Sequence, residues 1–391
     1  MHTFIKNLLN EQAVEWRALG EVAVIGTGNS NRQDESENGD YPFYVRSKNV
    51  LRSDSYQFDE TAIVIPGEGG VGDIFHYVEG KYALHQRAYR ICIHDGDINT
   101  KFLYHVMSNS FKQYILSKSV GATATSIRKP MLEKFQIPIP PLSVQSQIVQ
   151  ILDTFTELTA ELTAELSMRQ KQYQYYRDLL LSEHELAKVG FEWKSLGEVG
   201  ELVRGNGLTK KDLTDDGVPA IHYGQIYTHF GTFATQTKSF VSTVLAKKLK
   251  KAQNGDVLLA GTSENLKDVM KPLGWLGGEI AISGDMFAFR PNKQQLDTKY
   301  LTYLLQAYEF QKYKEKYAHG TKVTRLKSEK FLSFVIPIPP LSVQSQIVAI
   351  LDTFDTLVNS ISDGLPKEIQ LCQKQYEYYR ELLLDFHPNQ E

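Results

Sequence analysis

The longest regular pattern of apolar positions begins just after a pair of prolines. From Leu142 no Gly or Pro occurs until Gly190, and Ile148, Leu152, Phe155, Thr159, Leu162, Leu166, Arg169, Tyr173, Tyr176 and Leu180 alternate steps of four and three. This spacing predicts one helix over 142–182 with a coiled-coil seam, interrupted where Thr159 and Arg169 stand in it. Pro140-Pro141 hold the preceding backbone extended, and Ser143 is the candidate N-cap. A second stripe runs Ile347, Leu351, Phe354, Val358, Ile361, Leu365, Ile369, Cys372, Tyr376, Tyr379 and Leu383 and predicts a second helical segment over 341–386. It takes two consecutive steps of four at Leu365, within Asp363-Gly364-Leu365-Pro366, so a break or kink is expected near 363–366. One apolar stripe alone reads simply as core. Two matching stripes in one chain make each the obvious partner of the other, and an antiparallel helix pair follows.

The match extends to the letters. IPIPPLSVQSQIVQILDTF at 137–155 recurs at 336–354 with 18 of 19 positions identical, and QKQYQYYRDLLL at 170–181 recurs at 373–384 with 10 of 12 identical. The offsets are 199 and 203, so the second copy holds four extra residues between its blocks. Upstream the likeness is weaker but ordered: EWRALGEV at 15–22 answers EWKSLGEV at 192–199, KFLYHV at 101–106 answers KYLTYL at 299–304, and 121–135 answers 320–334. Such a duplication divides the chain into a variable unit (1–141), a first long helix (142–182), a second variable unit (183–340) and a second helical segment (341–386).

Both variable units alternate short β-rich runs with turn clusters. YPFYVRSKNV, TAIVIPG and DIFHYVEGKYALHQRAYRICI suggest hairpins followed by a helix at 99–118; VPAIHYGQIY, KSFVS, GDVLLAG and WLGGEIAISGDMFAFR precede a helix at 297–317. The expected class is α+β, two mixed α/β domains joined by two long antiparallel helices in a pseudo-twofold repeat.

Composition sets the limits. A chain of 391 residues with 42 % apolar and 11 % aromatic side chains can bury sizeable cores. Cys92 and Cys372 lie 280 residues apart with no Cys/His cluster, so no disulfide framework or zinc site is readable, and a reducing cytoplasm is the expected home. No apolar run approaches the roughly 20 residues of a membrane-spanning helix, and no membrane partner is expected. The net charge of −3 is uneven: 15 basic and 16 acidic residues in 1–141, 3 and 5 in 142–182, 22 and 17 in 183–340, 3 and 8 in 341–391. Long polyanions respond to local patches, so the small total does not exclude DNA.

Catalytic signals are thin. Gly67-x-Gly69-x-x-Gly72 has dinucleotide-loop spacing, but the following residues read as a hairpin and a glycine turn is expected. His85, His222 and His319 stand apart from acid partners and read as structural. Neither a catalytic residue nor a metal ligand set nor a cofactor site emerges. What accumulates is cationic and hydrogen-bonding equipment on loops: Arg46, Ser47, Lys48, Asn49, Gln86, Arg87, Arg128 and Lys129 in the first unit, and His222, Tyr223, Gln225, Lys322, Thr324, Arg325 and Lys327 in the second, beside Lys247-Lys248 and Lys250-Lys251. Arg or Lys pairs with guanine and Asn or Gln with adenine in the major groove, while further cations anchor phosphates. Any one such cluster is usually a solvated face; both copies carry one, next to a helix of on the order of 60 Å (about 40 residues at 1.5 Å) that can act as a ruler. Within that helix ThrAlaGluLeu occurs twice in tandem, Thr159–Leu162 and Thr163–Leu166, each about one turn.

Taken together, the twin IPIPPLSVQSQIV…ILDTF and QKQY…YYR…LLL blocks, the ThrAlaGluLeu tandem and the GATATSIRKPMLEKFQIPIPPL and HGTKVTRLKSEKFLSFVIPIPPL junctions resemble the specificity subunits of type I restriction-modification enzymes over essentially the whole chain. The resemblance implies two target-recognition domains, each reading one half of an asymmetric bipartite site in double-stranded DNA. It implies that the helices, with Ile148, Leu152, Phe155, Leu162, Leu166, Tyr173 and Tyr176 of one facing Ile347, Leu351, Phe354, Ile361, Tyr376 and Tyr379 of the other, set the distance between the halves. Two modification subunits using S-adenosylmethionine and two restriction subunits using ATP and Mg would bring the chemistry, and this chain would be no enzyme. The alternatives are a self-sufficient DNA methyltransferase or nuclease with an unrecognised catalytic loop, and a helical scaffold that binds no DNA.

Overall fold

The computed structural model describes residues 3–70, 72–118, 126–320, 322–360 and 362–386. The expected seam residue Ile361 and the first five residues of the 121–135 junction lie outside the described residues. The chain forms two compact units: one takes the chain up to Glu161 and again from Gln370, the other Leu162–Ile369. Each unit therefore combines one variable segment with parts of both helical segments.

The first helical segment is unbroken over Leu142–Leu180, 39 residues. Ser143 lies inside its first turn rather than at the cap. The Pro141 carbonyl accepts from the amides of Val144 and Gln145, and Pro340 does the same for Val343 and Gln344. A proline serves there because its fixed φ is already compatible and its missing N–H would have no helical partner. The second segment is two helices, Leu341–Asn359 and Leu365–Leu383. A Cβ on Gly364 would stand 2.3 Å from the Thr356 carbonyl oxygen, so the chain passes too close there for any other residue. Pro366 falls in the first turn of the new helix, where it is tolerated.

In the first unit a six-stranded sheet has the spatial order Ala23–Thr27, Ala88–Ile93, Phe58–Pro66, His76–Leu84, Tyr41–Tyr44, Leu51–Ser53. The helix Thr100–Lys118 buries Leu103, Met107, Phe111 and Ile115 with Ile63, Ile65 and Ile91 of the sheet. The second unit keeps the order of the first four strands in Gly200–Arg204, Met286–Pro291, Val257–Ala260 and Pro272–Trp275, and adds a four-stranded sheet of Ser239–Val241, Val218–Ile221, Ile280–Ile282 and Lys251–Ala252. Two sequence expectations change here. The helix expected at 297–317 is two, Thr298–Leu304 and Tyr308–Tyr317, because Asp178 of the long helix reaches in and its Oδ1 accepts from the Tyr308 amide at 3.1 Å, capping a new start. The β-rich run VPAIHYGQIY turns at His222 into the helix Tyr223–Thr228.

Both copies build the same joint between variable segment and helix. EWRA pairs antiparallel with QIPI, and EWKS with VIPI, which explains why these motifs recur together. Just beyond, Gln145 is fully buried. Its Nε2 donates to the carbonyls of Asp97 (2.8 Å) and Pro140 (2.7 Å), and its Oε1 accepts from the Asn99 amide (2.8 Å). Gln344 repeats this with Gln295, Pro339 and the Asp297 amide, each at 2.8 Å. Asn99 and Asp297 in turn cap the helices that cover the sheets.

The helix seams exchange partners reciprocally. In the first unit Phe155 stacks on Tyr379, centroids 5.2 Å apart and 19° between planes. In the second, Phe354 stacks on Tyr176 at 5.5 Å and 23°. Phe354 repeats Phe155 and Tyr379 repeats Tyr176, so the ILDTF block of each copy packs on the QKQY block of the other. Within the first unit the partner of Phe155 is Tyr379 and that of Thr159 is Cys372, so the two helices run in opposite senses. Of the expected seam, Ile148, Leu152, Tyr173, Ile347 and Leu351 are buried, Phe155, Leu162, Leu166, Phe354, Tyr376 and Tyr379 half-buried, and Tyr176 exposed beyond its stacked face.

Candidate nucleic-acid interface

The loops at one end of the first unit's sheet collect its expected site residues. The glycine spacing at 67–72 joins the antiparallel strands Phe58–Pro66 and His76–Leu84, so it is a hairpin connection and no helix follows it. Glu68 in this turn accepts from Arg46 (3.2 Å) and Arg87 (3.0 Å), drawing together two arginines 41 positions apart. The Gly67 carbonyl accepts from the Ile127 amide, which brings Arg128, the N-cap residue of the helix Lys129–Glu133, to the same turn. Ser47 closes its loop on the Asn49 carbonyl, and His76 Nε2 lies 3.4 Å from the Ser47 carbonyl. Gln86 donates to Asn31 Oδ1 at 2.5 Å. Arg46, Ser47, Lys48, Asn49, Gln86, Arg87, Arg128 and Lys129 are all exposed; Lys129 approaches Glu133 of its own helix at 3.6 Å. His85 is buried, and burial first, then Arg46 and Arg87, push its proton affinity below the ordinary histidine value. Its Nδ1 accepts from the Arg87 amide.

In the second unit the expected residues fall into two sets. His222 caps the helix Tyr223–Thr228: its Nδ1 accepts from the Gly224 amide at 3.2 Å, and burial lowers its pKa. Gln225 Oε1 accepts from the His222 amide and its Nε2 donates to Ser239, so both ends of the amide are engaged locally. The Tyr223 ring lies 4.5 Å from that of His222. The other set is exposed. Thr324–Arg325 forms a short ribbon with Thr262–Ser263, and Lys322, Arg325 and Lys327 point to solvent while Thr324 is half-buried. Lys327 is the N-cap residue of the helix Ser328–Leu332, as Arg128 is in the first unit.

Sequence reasoning missed Glu68 and Asn31, whose role is to place Arg46, Arg87 and Gln86. It also missed the loop at 204–211. The one available signal was a polar residue followed three positions later by an acid, Asn31/Asp34 and Thr209/Asp212, a capping pattern that recurs in both units. The arrangement offers hydrogen-bonding and cationic groups on neighbouring loops. Among the described residues no group of His, Cys, Asp and Glu is placed to hold a metal ion, and no helix is long and apolar enough to cross a membrane.

A family model described as the type I restriction modification DNA specificity domain matches twice, over residues 11–168 and 188–371. The chain is 33 % identical over 407 residues to a putative type I restriction enzyme specificity subunit of Haemophilus influenzae, covering 98 % of both chains. It is 39 % identical over 264 residues to the EcoR124I/EcoR124II specificity subunit of Escherichia coli, covering 65 % of this chain and 63 % of that one. In fold it is similar to the crystal structure of a type I restriction-modification S subunit from M. genitalium, with a TM-score of 0.61, 15 % identity and coverage of 97 % and 98 %.

Proposed function

The chain belongs to the type I restriction-modification DNA specificity family, and we propose that each of its two units reads one half of an asymmetric bipartite site in duplex DNA. The helices set the gap between the halves and present equivalent faces to two modification subunits, to which two restriction subunits add. S-adenosylmethionine, ATP and Mg serve those partners, and this chain contributes recognition rather than catalysis. One observation carries the reading: the joints and seams of the two copies repeat the same buried glutamine and the same ring stack (Gln145 and Gln344, Phe155 on Tyr379 and Phe354 on Tyr176), while the loops at the sheet ends differ. A frame kept twice with different loops suits one kind of partner bound twice and two different DNA sequences. Within this reading, Arg46, Ser47, Lys48, Asn49, Gln86, Arg87, Arg128 and Lys129 face one half-site. Tyr223, Lys322, Thr324, Arg325 and Lys327 face the other, with His222 and Gln225 shaping the loop beside them.

The test is to express the chain with its modification partners and map methylated adenines across a genome. A two-part, non-palindromic motif with a fixed gap is expected, and a continuous or palindromic motif overturns the reading. Deleting Thr163–Leu166 removes about one helical turn, ~6 Å, and should change the gap by one or two base pairs with both halves intact. Changed halves with an unchanged gap would refute the ruler. The chain alone, given labelled S-adenosylmethionine and DNA, should transfer no methyl group.

A further inference from the structure

We propose that the second unit supplies the main grip on the DNA phosphates, through an exposed patch of Arg204, Lys210, Lys211, Lys247, Lys248 and Lys250 that Asn206 assembles. The proposal rests on the DNA-reading function above and adds an unequal division of labour to it.

Two loops about 40 positions apart make the patch. Asn206 Nδ2 donates to the Lys248 carbonyl at 3.0 Å, and its Oδ1 accepts from the Lys250 amide at 2.6 Å, so one side chain latches both loops. A Cβ on Gly205 would stand 2.0 Å from the Ser283 carbonyl oxygen, so only glycine lets the first loop settle onto that turn. There Arg204 Nε donates to the Gly284 carbonyl at 3.4 Å and its guanidinium lies over Phe287. Lys210 and Lys211 sit in a short turn closed by Asp212. Its Oδ2 accepts from both the amide and the hydroxyl of Thr209 at 2.7 Å, so that carboxylate is turned into the turn's own cap. All six cations are exposed, and among the described residues none has a carboxylate within ion-pair distance.

The first unit has a similar capped turn, Arg32–Asp34, with one cation instead of two, and a latch made from the other loop. Gln57 bonds Ser30 and the Asn29 amide, and Asp34 accepts from the Asn31 amide. Of its neighbouring cations Arg46 and Arg87 share one carboxylate, Glu68, and Arg32 lies 3.7 Å from Glu35, while among the described residues Lys48 and Arg128 beside them lack an acid partner. Free cations held at fixed spacing release condensed counterions when they meet phosphates, whereas internally paired ones first have to give up a carboxylate. Salt-sensitive affinity therefore belongs mainly to the second unit, and the first works chiefly by hydrogen-bond readout.

The experiment uses the complete complex of this chain with its modification subunits and measures Kd for two duplexes, one with the mapped site and one without, from low to high salt. Each lost phosphate contact should reduce the slope of log K against log salt by about 0.9. Lys210→Ala, Lys211→Ala and Lys248→Ala together should flatten the slope by about two to three on both duplexes. Arg46→Ala with Arg87→Ala should change it by less than about one. Asn206→Ala, which leaves every cation in place, should give an intermediate flattening. The methylated motif mapped at low salt should be unchanged in all patch variants, which separates loss of grip from loss of fold. An unchanged slope overturns the proposal. So does a loss confined to the duplex with the site, which would make these residues base readers, or a loss confined to assembly with the modification subunits, which would make the patch a protein-docking face. The site-free duplex keeps the test decisive even if the bipartite reading fails.

Discussion

The two units fasten their sheets to the helical segments in the same way, but with one telling exchange of side chain. In the first, Asp153 accepts from Lys101 at 2.7 Å and lies 3.2 Å from His105 Nε2. In the second, Asp352 accepts from Lys299 at 2.5 Å and from the Tyr303 hydroxyl at 2.7 Å. His105 and Tyr303 occupy equivalent positions of KFLYHV and KYLTYL. Burial outweighs the pull of Asp153 and holds His105 below the ordinary histidine pKa, and among the described residues its buried Nδ1 has no hydrogen-bond partner. Burial and Asp352 push the Tyr303 phenol far above its ordinary value, so it stays protonated. A repeated frame thus tolerates a swap that keeps a ring and a polar atom in place, and the swap puts an imidazole in one joint where the other has a phenol.

The sharpest test of that equivalence is to remove the shared part. Gln145→Leu strands the Asn99 amide and the Asp97 and Pro140 carbonyls in a buried joint, and Gln344→Leu does the same in the other unit. Each should cost about 3 kcal/mol, read as faster hydrogen exchange at 99–106 or 297–304 respectively. If only one variant responds, the joints are not equivalent.

The next effect separates them. Because the folded pKa of His105 lies below the unfolded value of 6.5, the unfolded chain takes up a proton first as pH falls. The neutral-form stability is therefore fully present above pH 6.5 and declines below it, by at most about 1.4 kcal/mol per pH unit. His105→Tyr should abolish this contribution, so the Tm of the variant minus that of the parent should rise between pH 7.5 and pH 5.5. An equal difference at both values would show that the joint does not sense acid.

The smallest effect lies in the short LGEV helices. Glu198 accepts from both the amide and the hydroxyl of Ser195; the equivalent Ala18 has no hydroxyl, and Glu21 stands 3.9 Å from Arg17 instead. Ser195→Ala should lower Tm by roughly 2–4 °C and Ala18→Ser should raise it by no more than that. Changes of the same sign would mean that the two caps are not comparable.

Much of the architecture was legible because it is written in local period or in repetition. The four-and-three spacing predicted the helix that runs Leu142–Leu180, and the stutter at Leu365 predicted the interruption between Asn359 and Leu365. The expected loop residues stand on exposed loops for the most part, yet His222 and Gln225 are occupied in a cap that the run VPAIHYGQIY did not announce. The helix expected over 297–317 contains no Gly or Pro, so nothing local reveals its division; the cause is Asp178, 130 positions away.

By itself, then, the sequence determined that this protein is a twice-written chain with two dissimilar units and two matching helical segments. Helix periodicity, proline and glycine act within a few residues, and a near-identical copy is visible without any fold. Only the tertiary structure decided which copy's ILDTF block meets which copy's QKQY block, that Glu68 gathers Arg46 and Arg87, and that Asn206 joins two lysine-bearing loops. The last two join a side chain to distant backbone or to a distant charge. Any carbonyl or carboxylate in reach can serve, so the choice is made by where the sheets turn and leaves no signature in the order of residues.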